Sequence, residues 1–334
     1  MTTALTSLMP QLQRAQALLQ SGQGALAWPL LAPLRTAIDG NGQALRLYAL
    51  AAQAAGRIDE AVDALKRIAA IDGDPSDILG AIADTLGKAG RHGEAYEHWG
   101  ALIARDPGIV EAHLNRAVAA AHAGLHDEAL DAADAGLKRF PGDARLLATR
   151  AMVLKNANRI LDSLPAFEKA VVADPKRALT RHNQAVALRA ACRFDEACDA
   201  YAAAEKLGMQ GAQFYANWAA AALEANRVGE AEDLYAKALA AEPEHQEARR
   251  GLTRLKFEYR DGEGAFAHYE EAARKRPTTS KTWFDWATAL ITNRKIAEAG
   301  EVAERGIAAN PNSPELKAVR TFSMGMVGDA MAAG

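Results

Sequence analysis

The stretch His113–Pro141, HLNRAVAAAHAGLHDEALDAADAGLKRFP, holds a Gly near its middle, the pair Asp127-Glu128 just after it, alanines where a core ordinarily holds leucine, and a closing Pro. In DEALDAADAGLKRF the apolar positions recur at three- and four-residue steps, the period of an amphipathic helix. Acidic residues near a helix start are favoured by the helix dipole. Gly accepts the left-handed conformation that closes a helix, and Pro disfavours the helical state in the residue before it. The stretch therefore predicts two short helices joined by a tight turn.

The same landmarks recur every 34 residues. An acidic-Ala pair appears at Glu60-Ala61, Glu94-Ala95, Glu128-Ala129, Glu196-Ala197, Glu230-Ala231 and Glu298-Ala299, with Ser163 and Ala265 filling the gaps and Ala27 extending the series upstream. A second series runs Ala15, Ala49, Ala83, Ala117, Ala151, Ala185, Ala219, Thr253, Ala287 and Thr321. A third marks the turns: Gly22, Gly56, Gly90, Gly124, Asn158, Asn226 and Gly328. Cys192, Arg260 and Arg294 break it, so those turns are expected to close in another way. A fourth ends each unit at Pro107, Pro141, Pro175, Pro243, Pro277 and Pro311, with Met209 and Gly73 in two slots and Pro75 displaced.

With small residues at the eighth and twentieth positions, Pro at the thirty-second and a large residue at the twenty-fourth (Trp99, Phe167, Tyr201, Tyr235, Tyr269), the chain resembles the tetratricopeptide repeat (TPR) family from about Leu8 to its end. Ala133 and Ala303 depart from the large residue, and the segment around Arg249–Arg260 makes a poor first helix. The resemblance implies an all-α fold, a right-handed superhelical α-solenoid of stacked antiparallel helix pairs. Its expected divisions are an irregular N-terminal cap or first repeat at 1–41, with Pro29 and Pro33 in its second helix, eight units over 42–313, and a capping helix or the start of a further unit at 314–334. Small side chains at fixed points let neighbouring helices nest closely, and large ones fill the remaining volume. Such arrays bury their core between successive neighbours.

Composition agrees with a packed array. Apolar residues are 49% of the 334-residue chain and aromatics only 6%, so Ala and Leu must build the core. A formal net charge of -3, with both signs interspersed, offers no basic excess for a phosphate backbone, and nucleic acid is an unsuitable partner. Cys192 and Cys198 do not form a disulfide framework and suit a reducing compartment. No apolar run approaches the roughly 18–20 residues of a spanning helix, and the first residues do not read as a signal peptide. A cytoplasmic protein without membrane contact is expected.

No chemistry-bearing constellation emerges. His122 and His126 straddle the turn at Gly124, His92 and His98 are six apart across another, and no glycine-rich phosphate loop follows a strand. CRFDEAC reads as two free thiols. Catalysis, a metal and a cofactor are all unexpected.

In TPR arrays the first helix of each unit lines an inner surface that commonly binds an extended peptide. By register Asn115, Asn183 and Asn217 occupy the same inward sixth position, with Thr149 between them. An amide offers donor and acceptor together and can grip a peptide backbone without reading its side chains. Arg145, Lys155, Arg189 and, when protonated, His182 also fall on the inner face, opposed by Asp84, Glu111, Glu224 and Glu258, which predicts middle units that favour an acidic ligand. Phe284 should face inward as a ligand contact, while Trp283 and Trp286 pack into the array. The ninth positions, Leu50, Asp84, Val118 and Met152, lack the pattern that binds chaperone tails.

Three functional readings follow. The first is a non-catalytic protein- or peptide-binding adaptor. The second is the substrate-recruiting part of a larger enzyme, since TPR arrays also precede sulfotransferase-like, glycosyltransferase and 2-oxoglutarate/iron oxygenase modules, and Ala333 falls where a next helix would carry its small residue. The third is a scaffold that self-associates through the terminal helix bearing Phe322, Met324 and Met326.

Overall fold

A computed structural model describes residues 3–72, 76–260, 262 and 264–332; Gly73, Pro75 and Ala333 lie outside them. The described residues form helices and turns and no strand. They fall into two compact units, residues 1–175 and 176–334.

The first unit opens with α1 (Thr3–Gln20) and α2 (Gly24–Leu31), the latter containing Pro29 and running into a short 3-10 turn at Ala32–Leu34. Four antiparallel pairs follow: α3 (Gly42–Ala54) with α4 (Ile58–Asp72), α5 (Ser76–Lys88) with α6 (His92–Arg105), α7 (Val110–His122) with α8 (His126–Arg139), and α9 (Ala144–Asn156) with α10 (Ile160–Ala173). In the second unit α11 (Ala178–Ala190) pairs with α12 (Phe194–Lys206), and α13 (Ala212–Glu224) with α14 (Val228–Ala241). Then come α15 (Gln246–Tyr259), α16 (Ala267–Lys275), the pair α17 (Ser280–Thr292) and α18 (Ile296–Ala309), and α19 (Pro314–Ala332). Each pair also packs on its neighbour within the unit, making both units α-solenoids.

The alanine series is the contact surface. Ala83, Ala117, Ala151, Ala185, Ala219 and Ala287 are all 0% exposed, as are Ala61, Ala95, Ala129, Ala197, Ala231 and Ala299. Large rings fill the space between: Phe167 and Tyr201 are wholly buried, and the Tyr235 ring lies against Gly251 of the next first helix, where an added Cβ would stand 2.3 Å from Cζ. In the two units where the twenty-fourth position is Ala, the ring has moved to the partner helix. His113 and Trp283 take the fourth position and pack on Gly136 and Gly306 of the second helix. Each ring is tied to the end of the preceding unit: His113 Nε2 lies 3.1 Å from the Pro107 carbonyl, and Trp283 Nε1 donates to that of Pro277 at 2.8 Å.

Two expectations about the repeat are corrected. Cys192 and Arg294 do not close their turns in another way. Both take the left-handed conformation, with φ of 58° and 61°, as Asn158 and Asn226 do at 60°. The next residue then returns a hydrogen bond to the carbonyl five residues back, Arg193 to Leu188 and Lys295 to Leu290, each at 2.9 Å. This helix-closing pair of bonds outweighs the steric cost of a Cβ, about 1–2 kcal/mol. Arg260 does break the series, the left-handed residues there being Gly262, whose N–H returns to Lys256, and Gly264, and Gly328 closes no turn, because α19 runs through it to Ala332. The second correction concerns the same unit. Its first helix, α15, is intact, and the irregularity lies in the turn and in α16, which has only 9 residues.

Candidate functional site

Neighbouring first helices lie side by side in register. Gln213 Nε2 donates to Glu247 Oε2 at 2.6 Å, and in the first unit Arg145 Nη1 donates to Glu111 Oε1 at 3.1 Å, each pair one repeat apart. Residues at one repeat position on successive first helices of a unit are thus neighbours.

Asn115 lies on α7, Asn183 on α11 and Asn217 on α13, all half-buried. Asn217 Oδ1 accepts from Gln213 Nε2 at 3.1 Å, while the Asn115 and Asn183 amides have no partner among the described residues. Thr149 is buried.

The cations differ among themselves. Arg145 is held between Glu111 and Asp143, and Arg189 makes a two-pronged pair with Glu224. Hydrogen bonds to these carboxylates raise both guanidinium pKa values, so the two charges are already balanced within the protein. Lys155 is half-buried without a carboxylate partner among the described residues, and desolvation lowers its pKa. His182 packs edge-on to Tyr201 and tilted on Phe214, both centroids at 5.7 Å.

Trp283 and Trp286 are buried and stacked 6.0 Å apart, while the intervening Phe284 is half-buried and lines a cleft of about 680 Å³ between α15 and α17. Arg249, Arg250, Arg254 and Phe257 line it too. These four were not singled out as site residues by the sequence reading, although the break of the turn series at Arg260 marked the place. Phe322, Met324 and Met326 are exposed on α19. Among the described residues no helix is long and apolar enough to cross a membrane.

A tetratricopeptide repeat family model matches residues 81–144, 149–212 and 217–280. Among solved structures, a tetratricopeptide repeat protein from Parabacteroides merdae is 13% identical and aligns over 75% of this chain and 98% of its own, with a TM-score of 0.50. The C-terminal part of a TPR repeat-containing protein from Cytophaga hutchinsonii is 14% identical over 72% of this chain and 99% of its own, with a TM-score of 0.52. Likeness at such identities concerns the fold alone. No curated protein matches the chain.

Proposed function

Because the chain belongs to the tetratricopeptide repeat family, a family of repeat scaffolds that bind proteins, we propose that the first-helix face of each unit holds an extended segment of a partner protein, through the amides of Asn183 and Asn217 in the second unit and that of Asn115 in the first. The observation that carries this reading is the register of the first helices within each unit, fixed by contacts such as Gln213 to Glu247 in the second and Arg145 to Glu111 in the first. A chain crossing helices packed about 8–10 Å apart advances about three extended residues per helix. A repeating amide then meets a repeating peptide group, which suits affinity for backbone with little demand on sequence. Lys155 supplies positive charge to this face that no carboxylate of the described residues offsets, whereas Arg145 and Arg189 hold their acidic partners in place. The two free thiols suit a cytoplasmic setting.

The test is quantitative partner capture by the wild type and by the triple variant Asn115→Ala, Asn183→Ala, Asn217→Ala. The reading expects the triple variant to lose partners at unchanged melting temperature. Identical partner lists would remove the asparagines from the binding face.

A further inference from the structure

Resting on that reading, we propose that the cleft between α15 and α17 is a specificity site for a peptide segment that carries an acidic side chain beside an apolar one.

The cleft lies where the repeat fails. Arg260 does not take the left-handed conformation, the turn runs on to Gly262 and Gly264, and α16 begins only at Ala267. Phe257, near the end of α15, turns its ring edge-on to Phe266, with centroids 5.7 Å apart. The space so opened, about 680 Å³, has Phe257, Tyr269 and Phe284 in its walls. It is in the ordinary size range of a ligand cleft, with room for neighbouring side chains of a peptide, and its aromatic walls favour an apolar or aromatic one.

Its charge is net positive. Arg249, Arg250 and Arg254 line the cleft against two carboxylates, Glu258 and Asp285. Each is paired with cations of the protein: Glu258 with Arg254 at 3.1 Å on the exposed side, and Asp285 with Lys281 at 2.7 Å and Arg249 at 3.5 Å. Arg250 is exposed and has no partner among the described residues. Arg249 is 1% exposed, its guanidinium 5.1 Å over the Tyr269 ring. Nε donates to the Pro243 carbonyl at 2.7 Å and Nη1 faces Asp285, but Nη2 is buried with no acceptor. A buried guanidinium with one bare donor edge calls for an acceptor, and a carboxylate is the strongest acceptor that a peptide carries. Arg250 at the rim adds the attraction that draws the acid in.

The test uses the full chain and fluorescein-labelled octapeptides, acetylated and amidated, with Asp or Glu one to three positions from Phe or Leu in a Gly/Ser background. Each is compared with its Asn or Gln counterpart by fluorescence anisotropy. The expected result is at least about tenfold tighter binding of the carboxylate forms, and a loss of about tenfold or more in Arg250→Ala and in Phe284→Ala. Both substitutions are at partly exposed positions, so melting temperature separates lost binding from lost fold; Arg249→Met is the buried counterpart. Equal binding of acid and amide peptides, binding unchanged by Arg250→Ala and Phe284→Ala, or no binding by any peptide overturns the proposal. Partners that depend on Asn115, Asn183 and Asn217 but not on Arg250 or Phe284 would leave the broader reading standing while this one falls.

Discussion

Arg189, on α11, donates two hydrogen bonds to Glu224, the last residue of α13: Nε to Oε2 at 2.7 Å and Nη2 to Oε1 at 2.8 Å. The two-pronged geometry fixes one first helix against the next. Each side chain is 35% exposed, so solvent screens the pair. A double-mutant cycle with Arg189→Ala and Glu224→Ala should give a coupling of about 0.5–1 kcal/mol in urea unfolding, shrinking in molar salt. A coupling of zero at low salt would make the pair incidental.

Cys192 and Arg294 sit where other units use Gly56, Gly90 or Gly124. Replacing either by Gly removes the strain of a left-handed Cβ and adds unfolded-chain entropy. The net expectation is a gain of about 0.5–1 kcal/mol for Cys192→Gly and for Arg294→Gly. Gly56→Ala should cost about 1 kcal/mol.

The nesting of large on small makes a sharper demand. Gly251 has no room for a methyl group against the Tyr235 ring, and Ala185 is fully buried. Gly251→Ala and Ala185→Leu should each lower stability by roughly 1–3 kcal/mol in thermal or urea unfolding. The pair Gly251→Ala with Tyr235→Leu should recover part of the loss.

The two thiols differ in reach. Cys192 is exposed, while Cys198 is buried and its pKa is pushed up to about 11 by desolvation. Iodoacetamide near neutral pH should label Cys192 and spare Cys198 until the chain unfolds, as peptide mass mapping would show. Equal labelling of the folded protein would contradict the packing of α12.

Both ring nitrogens of His268 are buried without a hydrogen-bond partner, and desolvation, with a lesser effect of Arg249, lowers its pKa to about 3. The unfolded chain therefore takes up a proton near the ordinary histidine pKa while the folded protein does not. Stability is full above that value and falls as pH drops toward the folded one, by at most about 1.4 kcal/mol per unit. His98, lowered by burial, adds to the same trend. His268→Phe, which keeps a ring beside Tyr269, should flatten the decline in urea midpoint between pH 7 and pH 5. An unchanged slope would place the responsible group elsewhere.

The sequence by itself determined the helix pairs, their period and their buried alanines, because each depends on short-range chemistry repeated in register: an amphipathic period, a left-handed closing residue, a helix-breaking Pro. It also marked Phe284 as distinct from Trp283 and Trp286. Tertiary structure alone decided how the charges were spent. Arg145 and Arg189 look like free inner-face cations along the chain, but the neighbouring first helix of the stack brings Glu111 to the one and Glu224 to the other. Arg249 reads as one more polar residue in a weak helix, yet packing buries it and leaves one donor edge bare. Cys192 and Arg294 show the same division in the backbone. Their residue types argue against the left-handed conformation, and the hydrogen bonds and helix packing around each turn impose it. Local propensities are worth about 1 kcal/mol per residue, and contacts between helices sum to more than that.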